Sequence, residues 1–311
     1  MVDAPSFPDY DTMMDSEWLD NVRKLFDNNI FPKECIRCKT SEESNQNSIR
    51  NDAIVFDEKQ TKRDYLIADV MMDNICNSAC IMCSETASTK YGSLYSKNYP
   101  IYDNTDNLNK IPLDRIVQFD LTGGEPSYSK NVRNLLLNLP PNIESLRLNT
   151  NCSSFMDELI PFLDKKFKID ITMSLDGIGK TQEYIRWPIK WEKYLSVVNQ
   201  YKALKEKYPD YLQLGFWTTV TTLNINEFFE IKSFSEEMKI PLSYSLLHFP
   251  EQLNIMYKNT FTEKAKENPQ LNELFGNQLA VDINNQLKFD MFIKRQDYYR
   301  KVTISDYIPK S

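Results

Sequence analysis

Glycine is scarce in this chain, with seven among 311 residues. Two of the seven stand side by side at Gly123 and Gly124, so backbone freedom is wanted there. Histidine occurs once, at His248, and no histidine lies close to a cysteine. No apolar run approaches the ~20 residues that cross a bilayer, so no membrane partner is expected. The opening residues, Met1 to Pro5, lack a basic stretch followed by an apolar one, and no signal peptide is expected. Basic residues are the minority: 37 Lys and Arg face 44 Asp and Glu, a net charge of −7. General nucleic-acid binding rests on neutralising phosphates, and this balance argues against it. No internal repeat is evident. The expected compartment is the reducing cytoplasm, where thiols stay available to metal.

What is present suffices for a sizeable core, with 41% hydrophobic and 12% aromatic residues. Strand patterns fall at Tyr65 to Met72, Ile116 to Thr122, Ser145 to Thr150, Ile169 to Asp176, Gln213 to Thr221 and Leu242 to Leu247. Helical patterns lie between them, at Lys130 to Leu139, Trp191 to Lys207 and Asn226 to Met238. Repeated β-α units predict an α/β fold with parallel strands and right-handed crossovers, a partial (β/α)6 barrel. Several strands alternate strictly. Val117, Phe119 and Leu121 alternate with Gln118, Asp120 and Thr122, and Ile169, Ile171 and Met173 with Asp170, Thr172 and Ser174. An apolar face toward the helices and a polar face toward a lumen would produce this; so would a sheet with one face in solvent. The predicted organisation is a helical, cysteine-containing N-terminal extension (1–62), the barrel core (63–249) and a C-terminal extension (250–311) with a helix from Asn285 to Arg300.

The chemistry-bearing residues gather at predicted strand ends, where α/β proteins place their sites. Cys76, Cys80 and Cys83 follow the first strand with no fourth cysteine nearby. Zinc wants four ligands, usually as two spaced pairs. Three soft thiolates instead suit three irons of a cubane cluster, leaving one iron open. Thr122-Gly123-Gly124-Glu125-Pro126 ends the second strand, and Asn149 and Asn151 end the third. Ser174 and Asp176 end the fourth, with Arg186 twelve residues beyond Ser174. Serine and aspartate can hydrogen-bond ribose hydroxyls, and arginine can pair with a carboxylate. His248 ends the sixth strand and could exchange a proton near neutral pH. Tyr244 and Tyr184 could donate a proton or hydrogen atom, although tyrosines mostly pack.

The triplet C-x3-C-x2-C and the GGEP turn one β-α unit later resemble the two signatures of the radical S-adenosylmethionine (SAM) superfamily. The resemblance extends from Arg63 to Leu247 and points toward the branch with SPASM or twitch extensions. It implies a [4Fe–4S] cluster on Cys76, Cys80 and Cys83 that reductively cleaves SAM. The resulting 5′-deoxyadenosyl radical would abstract hydrogen from a peptide, a protein side chain or a small molecule, with an external electron donor. It implies that residues 122–126 meet SAM's amino group, Ser174 its ribose and Arg186 its carboxylate. Met82 stands where the family usually places an aromatic residue near the adenine. Cys35 and Cys38 form a knuckle-type pair that could hold zinc or an auxiliary Fe–S cluster, with Cys152 as a further candidate ligand, or could hold no metal. No cysteine follows Cys152, so the C-terminal region departs from the SPASM and twitch pattern. A non-catalytic metal-binding interaction protein and an RNA- or metabolite-modifying radical enzyme are the alternative readings.

Overall fold

The computed structural model describes residues 6–43, 48, 51 and 66–308. Tyr65, the predicted start of the first strand, lies outside them. The chain divides into two compact units. The first contains the N-terminal helices and residues 106–116. Its helix Glu17–Asp27 is opened by Ser16, whose hydroxyl accepts from the Leu19 amide at 3.2 Å and so satisfies one orphan donor of the first turn. Cys35 closes a short 3-10 turn, and Cys38 lies in the next helix, Ile36–Glu43.

The second unit holds the sheet and everything after it, residues 250–308 included. Six strands, β1 (Leu66–Met71), β2 (Ile116–Thr122), β3 (Ser145–Thr150), β4 (Lys168–Ser174), β5 (Leu212–Val220) and β6 (Leu242–Leu246), lie in sequential order. All run parallel. A doubly wound sheet reverses its order at a switch point; this one never does, so it curls as a partial (β/α)6 barrel. The predicted alternation holds. Phe119, Leu121, Leu146, Leu148, Ile169, Ile171 and Met173 are all 0–1% exposed, and each such side chain contributes about 1.5–3 kcal/mol. Helix Lys130–Leu137 sets Val132, Leu135 and Leu136 into the core, and helix Trp191–Lys207 adds Tyr194, Val197, Val198, Tyr201 and Leu204. The other face stays polar. Gln118 bridges Ser145 and Asp120 through its amide, and Arg147 reaches Asp120 at 3.3 Å and Asp170 at 3.9 Å.

Boundaries moved where caps decide them. The helix predicted from Asn226 begins at Phe228, because residues 225–227 wind as a 3-10 turn. The side chain of Asn224 ties off that turn, accepting from the Thr221 amide at 2.7 Å. The C-terminal helix is Gln286–Arg300. Its Phe289 and Ile293 join a buried cluster with Ile81, Tyr184, Ile185 and Ile304, so this helix packs directly beneath the cysteine loop. No helix among the described residues is long and apolar enough to cross a membrane.

Candidate functional site

The cysteine loop leaves β1 through two buried polar residues that account for its backbone. Asp73 accepts from the Ile75 amide at 3.0 Å and from the Ser129 hydroxyl at 2.5 Å. Asn74, fully buried, donates to the carbonyls of Glu85 and Pro100 and accepts from the Tyr102 amide. Buried backbone needs such partners. The loop then folds so that the Ser78 hydroxyl lies 3.4 Å from the Cys76 sulfur and 3.5 Å from the Cys80 sulfur. The Cys83 amide donates to the Cys80 carbonyl at 3.0 Å. Burial, then the neighbouring Cys80 sulfur, pushes the Cys76 thiol up. Burial followed by Cys80 and Cys76 pushes Cys83 up to about 12. The Cys76 and Cys83 thiols thus resist ionising, and bound positive charge would relieve them. Among the described residues, no three His, Cys, Asp or Glu are placed to hold a single metal ion. A zinc-type centre does not fit this loop. A cubane asks for something else, because each thiolate binds a different iron of a larger body. The all-sulfur donor set fits that group.

The glycine turn is pressed against this loop. Gly123 has φ +109°, a conformation that side chains rarely adopt. A Cβ on Gly124 would lie 2.1 Å from the Ile75 carbonyl oxygen. The Gly124 amide donates to Asp73 O at 3.1 Å and the Glu125 amide to Ile75 O at 2.8 Å. The glycines therefore let two strand ends touch, and these two amides are committed to the cysteine loop. Gly124→Ala should cost about 1–3 kcal/mol by overpacking, read as a lower urea midpoint. A variant as stable as the parent would show that turn and loop separate freely. Glu125 is 2% exposed. One carboxylate oxygen accepts from the Ser127 amide, the Ser127 hydroxyl and the Thr150 hydroxyl, and the other from the Asn151 amide. Burial raises its carboxyl despite these donors. Its carboxylate joins the ends of β2 and β3.

Arg186 completes the site from the segment after β4. Its Nε donates to Asp176 Oδ2 at 2.6 Å, and one terminal nitrogen lies 3.7 Å from the Cys80 sulfur. Asp176 is 0% exposed, and its other oxygen accepts from the Thr219 amide at 2.7 Å. Burial opposes the Arg186 charge, but Asp176 and the Cys80 sulfur outweigh it, so the guanidinium titrates above its ordinary value.

A cavity of about 400 Å³ opens over these groups. The structure brings Cys76, Cys80, Cys83, Met82, Thr122, Gly123, Gly124, Glu125, Asn149, Asn151, Ser174 and Arg186 to its wall. Pro126 and Asp176 are buried and do not line it. The ribose contact expected of Asp176 is not open to it, because its carboxylate is buried against Arg186 and Thr219. Tyr244 is not brought to the cavity either. It pairs in register with the buried Thr218, on the helix side of the sheet, and meets Phe228 and Phe275 edge-on. There it borders a larger groove, of about 840 Å³, lined by Phe228, Phe229 and Leu274. His248 lies beyond β6 and does not line the 400 Å³ cavity. The Tyr184 hydroxyl is taken by Asp297 at 2.8 Å. Cys152 is fully buried with φ +56°. The pair Cys35 and Cys38 finds no metal-holding group among the described residues.

Sequence reasoning passed over Ser78, which stands between two sulfurs, and Trp217. Trp217 is 39% exposed and pairs in register with Ser174, so both face the lumen. The alternation of β5 carries that signal: Gln213, Gly215, Trp217 and Thr219 share one face.

No family model and no curated protein matches this chain. Among solved structures it is similar to anSMEcpe with bound AdoMet, at 16% identity and TM-score 0.44, over 69% of this chain and 63% of that one. It is similar to SuiB of Streptococcus suis bound to S-adenosylmethionine, at 14% identity and TM-score 0.44, over 86% of this chain and 59% of that one. SuiB bound to the precursor peptide SuiA matches at 13% identity and TM-score 0.44, over 86% and 59%. The chain spans about six-tenths of the length of these structures.

Proposed function

We propose that this protein is a radical SAM enzyme acting on a peptide or protein side chain. One observation carries the reading: three thiols of one loop, a double-glycine turn and a buried-anchored arginine share the wall of a single cavity. Cys76, Cys80 and Cys83 would hold three irons of a [4Fe–4S] cluster, and Met82 offers a polarisable thioether to a purine. The carbonyls of residues 122–125 suit a cationic amino group, since the amides of Gly124 and Glu125 already serve the cysteine loop. Ser174, on the same wall, would meet the ribose. Arg186, oriented through Nε by Asp176, retains donors for a carboxylate. When bound, the cluster would supply the electron for reductive cleavage of SAM, the chemistry that makes SAM a source of a hydrogen-abstracting radical. The protein's part is to orient SAM at the strand ends and to present a polar lumen, with Asn149 and Trp217 on its wall, to the substrate. An external donor supplies the electron.

The test is anaerobic reconstitution with iron and sulfide, followed by dithionite and SAM. The expected result is about four irons per chain and release of 5′-deoxyadenosine. A loaded, reduced chain that neither binds nor cleaves SAM would overturn the proposal. Tight zinc in place of iron would favour a structural metal module instead.

A further inference from the structure

Arg300, the last residue of the C-terminal helix, is only 2% exposed. One terminal nitrogen donates to the Ala79 carbonyl at 2.6 Å, and the other to the Tyr184 carbonyl at 3.1 Å. Ala79 immediately precedes Cys80. Tyr184 lies two residues before Arg186. The same two segments are sewn together by backbone: the Ala79 amide donates to Trp187 O at 2.7 Å and the Ile81 amide to Ile185 O at 2.8 Å. Arg300 therefore closes a seam whose two sides carry Cys80 and Arg186.

Its charge is unusual in this setting. No carboxylate pairs with it among the described residues, and its Nε has no partner. Burial pushes the guanidinium below its ordinary value. A buried cation without an anion is costly, unless negative charge arrives nearby. Thiolates carrying an iron–sulfur cluster would bring it. The peptide joining Ala79 to Cys80 is planar and trans, so with its carbonyl turned to Arg300 its amide points the opposite way. Hydrogen bonds and charge around the sulfurs are what set a cluster's potential.

We infer that Arg300 is a positioning residue for the cluster site: it locks the Cys80 peptide to the Arg186 segment and makes the cluster easier to reduce. The inference rests on the functional reading above. Adding an electron adds negative charge, and a fixed buried cation stabilises that state. Partners of metal ligands typically hold metal affinity up by about 10–100-fold.

Three chains decide it: the parent, Arg300→Gln and Arg300→Lys, each reconstituted anaerobically, with folding checked by circular dichroism. Redox titration followed by electron paramagnetic resonance should place the Arg300→Gln midpoint below that of the parent, with Arg300→Lys near the parent. Iron release to a chelator should be about tenfold faster or more in Arg300→Gln. A purely structural role would leave the midpoint of the loaded protein unmoved. If Arg300→Gln does not fold, Arg300→Lys carries the test. It keeps the charge but not the two-carbonyl fork, so its midpoint stays near the parent's while iron leaves faster. A parent-like midpoint in a folded, loaded Arg300→Gln, or parent-like release in Arg300→Lys, overturns this inference alone. A parent chain that takes up no cluster overturns the functional reading and this inference with it.

Discussion

Cys80→Ala should give a folded protein whose iron content and 5′-deoxyadenosine production both fall to background. Cys80 is the most enclosed thiol of the three, at 9% exposure. It sits at the centre of the site, near the Ser78 hydroxyl and an Arg186 nitrogen. Removing its sulfur leaves two thiols, too few to retain the proposed cubane, whose fourth iron would already lack a protein ligand. The loop itself should survive. Its shape is set by backbone bonds to Trp187, Ile185 and Arg300 and by Asn74, none of which involves the sulfur. The stability cost should be near the ordinary about 1 kcal/mol of a point change. Iron and sulfide assays on the reconstituted variant, beside a melting curve, check both halves. Full iron loading in Cys80→Ala would remove the cluster from this loop.

The second large effect is on stability. Arg186→Ala strips from Asp176 the cation that pairs with it among the described residues; the carboxylate is 0% exposed and otherwise accepts from the Thr219 amide. Breaking one side of a buried pair costs about 3–5 kcal/mol, because the remaining charge stays desolvated. Against a typical total of about 5–15 kcal/mol, that is a large share. The double change Arg186→Ala with Asp176→Asn should recover part of the loss, since the stranded charge is gone. Urea unfolding of the parent, both single variants and the double variant measures the coupling. Equal midpoints for Arg186→Ala and the parent would show that the ion pair carries no weight.

The barrel strands could be read directly, because each alternates residues that must be buried with residues that must not. Phe119 and Leu121 against Asp120 needed no tertiary knowledge. The turn at Gly123 could be read as well, since scarcity made a glycine pair conspicuous, although its close contact with Ile75 could not. Tyr244 is a different case. The period of β6 places Ser243 and Ser245 on the lumen face and Tyr244 behind it. Asp176 is legible as a strand-end residue, but its pairing with Arg186 is not. A strand-end aspartate looks open to ligand until the arginine ten residues on is seen to bury it. Arg300 left no local trace, because what fixes its role is a contact across 221 residues.

That separation has a consequence in time. Chains emerge at roughly 5–20 residues per second, so roughly ten to forty seconds pass between synthesis of Ala79 and of the arginine that grips it. Through that interval the cysteine loop exists without its clasp. A chain halted before Arg300 would hold the Ala79 carbonyl without the guanidinium that accounts for it in the complete fold.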